Sequence, residues 1–314
     1  MSQTTVSRAL HGRASRVDQQ PDRRLPRRRS GLAGYGFVSL YTVLLLAFGI
    51  APTVYALYLS FTNGLGQFTG LGQYVKTFED FRFIGAFVNI GAYLAIWLVT
   101  LLILVVALAL ILHRRSGAVS STLRFLFYLP GALAGVASVL IWLFMLDPSA
   151  SPFSLVLHAL GQTTLTSTIL PAHLPIIFVI IAFWTGAGGW IIVMYGALNN
   201  IPLEILEAAR IDGASALQTA WRIEIPMIRK WIYYMLILAF ATGTQLFVEP
   251  QLVASASGGD VSPTWSPNEL AYVYAFQNGD FNGAAAISIY LLIVSLIAAL
   301  ILVTRSGLFN VEED

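Results

Sequence analysis

The chain has 314 residues, 57% of them hydrophobic and 11% charged, with a net charge of +2. A soluble domain carries about 25% charged residues, so lipid must be the solvent for much of this chain. Cysteine is absent, which excludes disulfides, thiolate metal sites, iron–sulfur clusters and a cysteine nucleophile.

The N-terminal segment, residues 1–33, holds eight arginines against Asp18 and Asp22. Such a run either binds nucleic acid or fixes topology. Before a long apolar segment it reads as a disordered cytoplasmic tail that sets orientation and touches anionic lipid, with no nucleic acid as partner. The apolar run Ala33–Phe61 is too long for a signal-peptide core and has no clear cleavage site. A helix needs about 20 apolar residues to cross a bilayer. Six segments qualify, at about 34–60, 87–112, 123–146, 173–198, 231–254 and 284–304. Their connections carry turn chemistry, for example Asn63-Gly64, Asp147-Pro148 and Ser257-Gly258-Gly259-Asp260. The chain therefore reads as a tail (1–33), a transmembrane domain (34–306) and a C-terminal tail (307–314), all-α throughout.

Basic residues give the orientation. The tail, the second and fourth connections and the C-terminal end hold 16 of the 18 Lys and Arg residues. Lys76 and Arg82, in the first connection, are the other two. Positive charge stays in the cytoplasm, so both termini are expected there. Neither Lys76 nor Lys230 follows a glycine, so no Gly-Lys-Ser/Thr phosphate loop exists and this chain is not itself an ATPase. The histidines His11, His113, His158 and His173 lie far apart, without metal-ligand spacing.

The fourth connection, 199–230, is polar and helical in pattern. Pro202 suits a first helical turn, and Leu203, Leu206 and Ala209 make a small apolar stripe beside Glu204, Glu207 and Arg210. Asp212-Gly213 breaks the helix. A second short helix, about Ser215 to Arg222, is expected to follow before Ile223, Ile225 and Pro226 lead back to the membrane. On composition alone this is either an ordinary surface loop or a rigid surface offered to a partner.

The same residues resemble a family signature. Glu207-Ala208-Ala209, Gly213, Ile223, Ile225 and Pro226 keep every spacing of the EAA motif of binding-protein-dependent ABC importer permeases, with Ile225 in place of leucine. Asp212 and Ala214 extend the match to the carbohydrate branch. Gly70-Leu71-Gly72-Gln73-Tyr74, Phe78, Asp80, Phe83 and Asn89 also resemble it, as do Leu129-Pro130, Trp142, Gly258-Gly259, Thr264 and Ala284-Ala285-Ala286. The resemblance covers about residues 35–305 and is closest to the first-encoded permease subunit of maltose-type and glycerol-phosphate-type systems. The chain departs from it at Asp260, where the branch often has proline. It also lacks a second proline after Pro130, and differs near Ser151 and Ser154.

The resemblance implies the type I importer permease fold, with six spans in a bacterial plasma membrane. It implies that the EAA loop is a coupling helix seated in a groove of an ATPase subunit, with Glu207, Ala208, Ala209, Asp212, Gly213, Ala214, Ile223 and Pro226 carrying the contact. ATP and Mg would be bound by that partner, with no cofactor in this chain. The implied assembly has a second homologous permease, two ATPase copies and an extracellular solute-binding protein that delivers a sugar or polyol.

Polar and aromatic residues deep in a span face protein or water. Trp184 and Trp190 in the fourth span are candidates for the solute pathway, as are Thr242, Gln245 and Glu249 in the fifth. Gln245 and Glu249 are expected one turn apart on one helical face. The competing reading is helix packing for the glycines and threonines and interfacial anchoring for tryptophan. Other readings of the whole chain are an importer of a non-carbohydrate solute, a membrane-embedded transferase and a self-sufficient channel. Scattered acids argue against the transferase, and the absence of charge rings or filter sequences against the channel.

Overall fold

The computed structural model describes residues 31–306 except Ser116 and Ala134. The arginine-rich segment up to Ser30 and the C-terminal tail 307–314 lie outside the described residues. The described chain is helical throughout, with one isolated bridge between Thr62 and Phe68. Five helices are long and apolar enough to cross a membrane, at Val38–Ser60, Phe81–Arg114, Leu174–Asn199, Ala216–Gly243 and Phe281–Arg305. A pair bent by 102°, Ala118–Ala132 and Gly135–Leu146, makes a sixth when the two helices are counted as one span.

The described chain divides into two compact units, one ending at Ala51 and the other beginning at Pro52. In the first, helix Gly31–Leu45 starts ahead of the expected boundary at residue 34 and leads into a wider turn, Leu46–Ile50. Its polar side chains are satisfied within the helix. Ser39 Oγ donates to the Gly36 carbonyl and Thr42 Oγ1 to the Val38 carbonyl, both at 2.8 Å. A lipid-facing helix requires that arrangement.

The second unit is organised around the fourth span. Leu174, Phe178, Ile181, Ile191, Met194 and Leu198 are fully buried along it. They meet Tyr93, Trp97, Leu101 and Leu112 of the second span and Ile228, Ile232 and Met235 of the fifth. Close approach of the third span depends on Gly188. A Cβ there would overlap the Phe127 carbonyl, so the glycine lets one backbone lie directly on another. The fourth span is an unbroken 26-residue helix. Gly188 therefore serves close packing, and none of the span's glycines breaks the helix.

Three spans differ from their sequence-derived outlines. The third is not straight: its two helices are bent by 102° from one another. Pro130 sits in a short 3-10 turn, Leu129–Ala132, and Leu133 is extended. A proline has no N–H to continue the ladder, and its ring crowds the preceding turn. The second span begins six residues early, at Phe81, because Asp80 caps it by accepting from the Arg82 N–H at 2.9 Å. The fifth starts at Ala216 and ends at Gly243. The expected separate helix from Ser215 to Arg222 is therefore the first part of the span itself. It widens into a π-turn at Ala220–Glu224, just before Pro226. There the Ile225 N–H reaches back to the Ala220 carbonyl, a wide bond that eases the chain past a proline with no donor.

At the opposite end of the molecule from this loop, charged and polar side chains tie the connections together. Lys76 pairs with Asp280 at 2.7 Å, and Arg82 with Asp80 at 2.7 Å. The Tyr274 hydroxyl donates to Asp80 at 2.7 Å. Hydrogen bonding from the Arg82 guanidinium holds the Asp80 carboxyl well below the usual carboxylate range. The two basic residues that sequence reading placed alone on this side are thus both neutralised locally.

Candidate functional site

The connection between the fourth and fifth spans begins with helix Leu203–Ile211, capped by Pro202. Ala209 is buried and Leu206 half-buried, so this edge holds the helix to the body of the chain. Glu204, Glu207, Ala208 and Ile211 lie at i, i+3, i+4 and i+7, and all are exposed. The helix thus presents a strip that is acidic at its start and apolar at its end. Ala209, expected to offer close approach to a partner together with Ala208, is instead 6% exposed and packs inward.

Gly213 ends the helix. Its φ is +75°, in the left-handed region that favours glycine. The Gly213 N–H bonds the Arg210 carbonyl at 3.1 Å and the Ala214 N–H the Ala209 carbonyl at 3.0 Å. That pair of bonds is a Schellman closure, which satisfies carbonyls that otherwise end the helix unpaired. Asp212 is the exposed C-cap and Ala214 is half-buried in the turn. Ser215 then caps the fifth span through a reciprocal box with Gln218. The turn is therefore fixed on both sides by backbone chemistry. Ile223 is half-buried and Pro226 exposed on the helix that follows.

One ion pair anchors this assembly. Glu224 is 2% exposed and accepts from Arg114 Nη2 at 2.8 Å. Arg114, at the end of the second span, also donates to the Ala216 carbonyl. A single guanidinium therefore joins the second span to the first turn of the fifth. Arg124 lies over the Tyr195 ring, 3.9 Å from its centroid. Sequence reasoning counted both arginines only as topology signals. Glu224 stands between two of the matched motif positions, Ile223 and Ile225, and no local pattern names its partner 110 residues away.

The loop also exposes apolar surface that sequence reading passed over. Ile211 is 86% exposed, Leu217 68% and Trp221 65%. Their position in a polar, non-spanning connection was the available signal.

The candidates for the solute pathway do not form one cluster. Trp184 meets Trp142 edge-on at 5.9 Å, and Trp190 meets Tyr234 of the fifth span at 6.2 Å. The two tryptophans address different neighbours, not one another. Thr242 is exposed, but its hydroxyl donates to its own helix at Leu238, 2.9 Å away. Gln245 is exposed in a break after Gly243, and the half-buried Glu249 belongs to a new helix, Val248–Ala256. The expectation that Gln245 and Glu249 share one helical face is therefore overturned. Pro250 would remove the bond to Leu246 in a continuous helix, and it is tolerated in the first turn of a new one.

Comparison with known proteins agrees with this architecture. The family described as "binding-protein-dependent transport system inner membrane component" matches residues 102–306. The multiple sugar-binding transport system permease protein MsmF of Streptococcus mutans is 31% identical, over 88% of this chain and 96% of its own length. The sn-glycerol-3-phosphate transport system permease protein UgpA of Salmonella typhi is 27% identical, over 87% of this chain and 93% of its own. A chain of a solved bacterial ABC transporter involved in alginate import superposes with a TM-score of 0.77 at 21% identity. That match covers 88% of this chain and 96% of the other.

Proposed function

The chain belongs to the binding-protein-dependent transport inner membrane components, and on that premise we propose that it forms half of the path for a sugar or related polyol. It is a multi-pass permease subunit of an ABC importer, without catalytic chemistry of its own. The proposed assembly adds a second homologous permease, two ATPase copies that bind ATP and Mg, and an extracellular solute-binding protein. Both termini would face the cytoplasm, which puts the Leu203–Ile211 helix beside the ATPase. The carbohydrate assignment draws on relatives whose names specify sugars or glycerol phosphate.

The observation that carries the coupling role is the exposed face of that helix, held rigid by the Gly213 turn. Glu207 would meet a basic residue of the ATPase, and Ile211, Leu217 and Trp221 would bury apolar surface against it. ATPase closure would then move the helix, and Arg114–Glu224 would pass that motion to the second span, rocking the core about its central site. Thr242 and Gln245, exposed at the outer end of the fifth span, and Trp184, Trp190 and Glu249 remain the proposed lining of the solute path.

The test is Glu207→Ala in the purified complex. Stranding a charge at an interface costs roughly 2–5 kcal/mol, so ATPase retention and sugar uptake should fall by more than about tenfold. Sugar binding to the isolated binding protein should be unchanged. Full ATPase retention, stimulated hydrolysis and uptake in the mutant would reduce the helix to a surface connection.

A further inference from the structure

The connection between the fifth and sixth spans encloses a hollow of about 250 Å³. Helix Val248–Ala256 forms one wall and the segment from Pro267 to Gln277 the other. Phe247, Gln251, Ser255, Glu269, Tyr272 and Gln277 line it. It lies at the opposite end of the fifth span from the Leu203–Ile211 helix, away from Trp184 and Trp190.

Three features of its wall belong together. The first is an unsatisfied acid. Glu269 is 2% exposed, and one of its oxygens accepts from the Ser266 N–H at 3.0 Å. The other is buried with no hydrogen-bond partner. Burial pushes the carboxyl up to about 7, against the Ser266 backbone hydrogen bond that pulls it down. Buried acceptors are nearly always paired, so Glu269 is an unsatisfied acid within the wall, its orphan oxygen lying beneath the surface of the hollow. The second is an aromatic ladder. Phe247 and Tyr272 lie 5.5 Å apart, Tyr272 and Phe276 5.0 Å, and Phe276 and Phe281 6.1 Å. It runs from the hollow to rings that are 70% and 54% exposed, Phe276 and Phe281. The third is a pair of amides, Gln251 and Gln277. An interfacial aromatic belt would account for Phe276 and Phe281. It would not place two amides and a buried acid beside Phe247 and Tyr272.

We propose that this hollow is an outer station for a polyhydroxylated solute, occupied after release from the binding protein and before the central path. An apolar ring face would lie on Tyr272 and Phe247, and hydroxyls would meet Gln251 and Gln277, with Glu269 behind them in the wall. Few polar groups fixed among aromatic side chains is the usual composition of a small-molecule site. The inference rests on the sugar-import reading above.

The absence of cysteine gives a clean test. Ser255→Cys puts a single thiol on the exposed edge of the hollow. The assembled importer carrying it is reconstituted, and uptake of a panel of mono-, di- and oligosaccharides identifies a transported sugar. Modification of Cys-substituted position 255 by a charged methanethiosulfonate is then followed by mass spectrometry of this subunit. The transported sugar should slow modification at least about threefold. Gln251→Ala and Tyr272→Ala should each raise the half-protecting concentration about three- to tenfold, the range of one hydrogen bond or ring contact. Tyr272→Phe should restore protection, which separates lost stacking from misfolding. Absence of uptake for every sugar would overturn the sugar reading and this inference with it. Uptake without protection would overturn this inference alone. Equal protection by unloaded binding protein would also overturn it, by making the hollow a protein-docking surface.

Discussion

The two ends of the fifth span are held in opposite ways. At the Ala216 end the preceding connection projects, with Glu207 and Ile211 exposed, and one buried ion pair fixes its base. Beyond Gly243 the chain folds back on itself. Asn268 donates to the Thr244 carbonyl at 3.2 Å, and Asn89 donates to the Trp265 carbonyl at 3.1 Å. Neutral side-chain-to-backbone bonds share the work there with the Lys76–Asp280 pair, so the hold is spread over several residues. On the proposed function, the difference separates a surface offered to a partner from one turned to the chain itself. A projecting loop must keep its shape with few internal contacts, so its anchors concentrate in one glycine turn and one charge pair. A folded-back connection distributes the same task, and any single link matters less.

The largest expected effect follows from that concentration. Arg114→Ala leaves Glu224, with its side chain 3% exposed, without a counter-charge. Breaking one side of a buried pair destabilises by about 3–5 kcal/mol. The partly exposed arginine places the expected loss near the lower bound, about 3 kcal/mol. Denaturant unfolding of the detergent-purified chain measures it. Asn268→Ala, which removes one neutral bond at the other end, should change stability by about 1 kcal/mol. Similar losses for the two variants would break the contrast between the ends.

A smaller effect is expected at the turn. Gly213 has φ of +75°, and a Cβ there would meet nothing within 4 Å. Gly213→Ala therefore adds backbone strain without a clash, about 1–2 kcal/mol. Its second readout is functional: hydrolysis stimulated by loaded binding protein should persist while uptake per ATP falls. Retention of both wild-type stability and wild-type coupling would show that the turn tolerates other geometries.

Much of this architecture was legible in the sequence, and what was missed has a common cause. Apolar runs gave the spans, because a bilayer sets their length regardless of tertiary context. Gly213 was legible because only glycine readily closes a helix in that way. The bend at Pro130 and the break before Pro250 are local proline effects, yet long apolar runs mask them. The Arg114–Glu224 pair joins residues 110 apart, and nothing in the neighbourhood of either announces the other. The tryptophans were placed in the correct helix, but which neighbour each ring meets depends on helix rotation. Composition does not encode that rotation.

A pH-dependent effect sharpens the comparison from the folded-back side. Glu269 is raised from 4.5 to about 7 by burial, and it has no ion-pair partner among the described residues. Below about pH 4.5 the folded and unfolded chains both hold the proton, so the residue makes no difference. Between that value and about 7 the unfolded chain ionises while the folded one keeps its proton. Stability must therefore fall as pH rises through this window, and level off above it. Glu269→Gln keeps the side-chain shape and removes the ionisation. The thermal midpoint of this variant should show a flatter profile across the window than the wild type, with the gap widening toward neutral pH. A wild-type profile that is already flat, or an unchanged slope in the variant, would mean that the buried oxygen finds a donor after all. The folded-back end would then be satisfied throughout, and the difference between the two ends would lie wholly in the loop that projects.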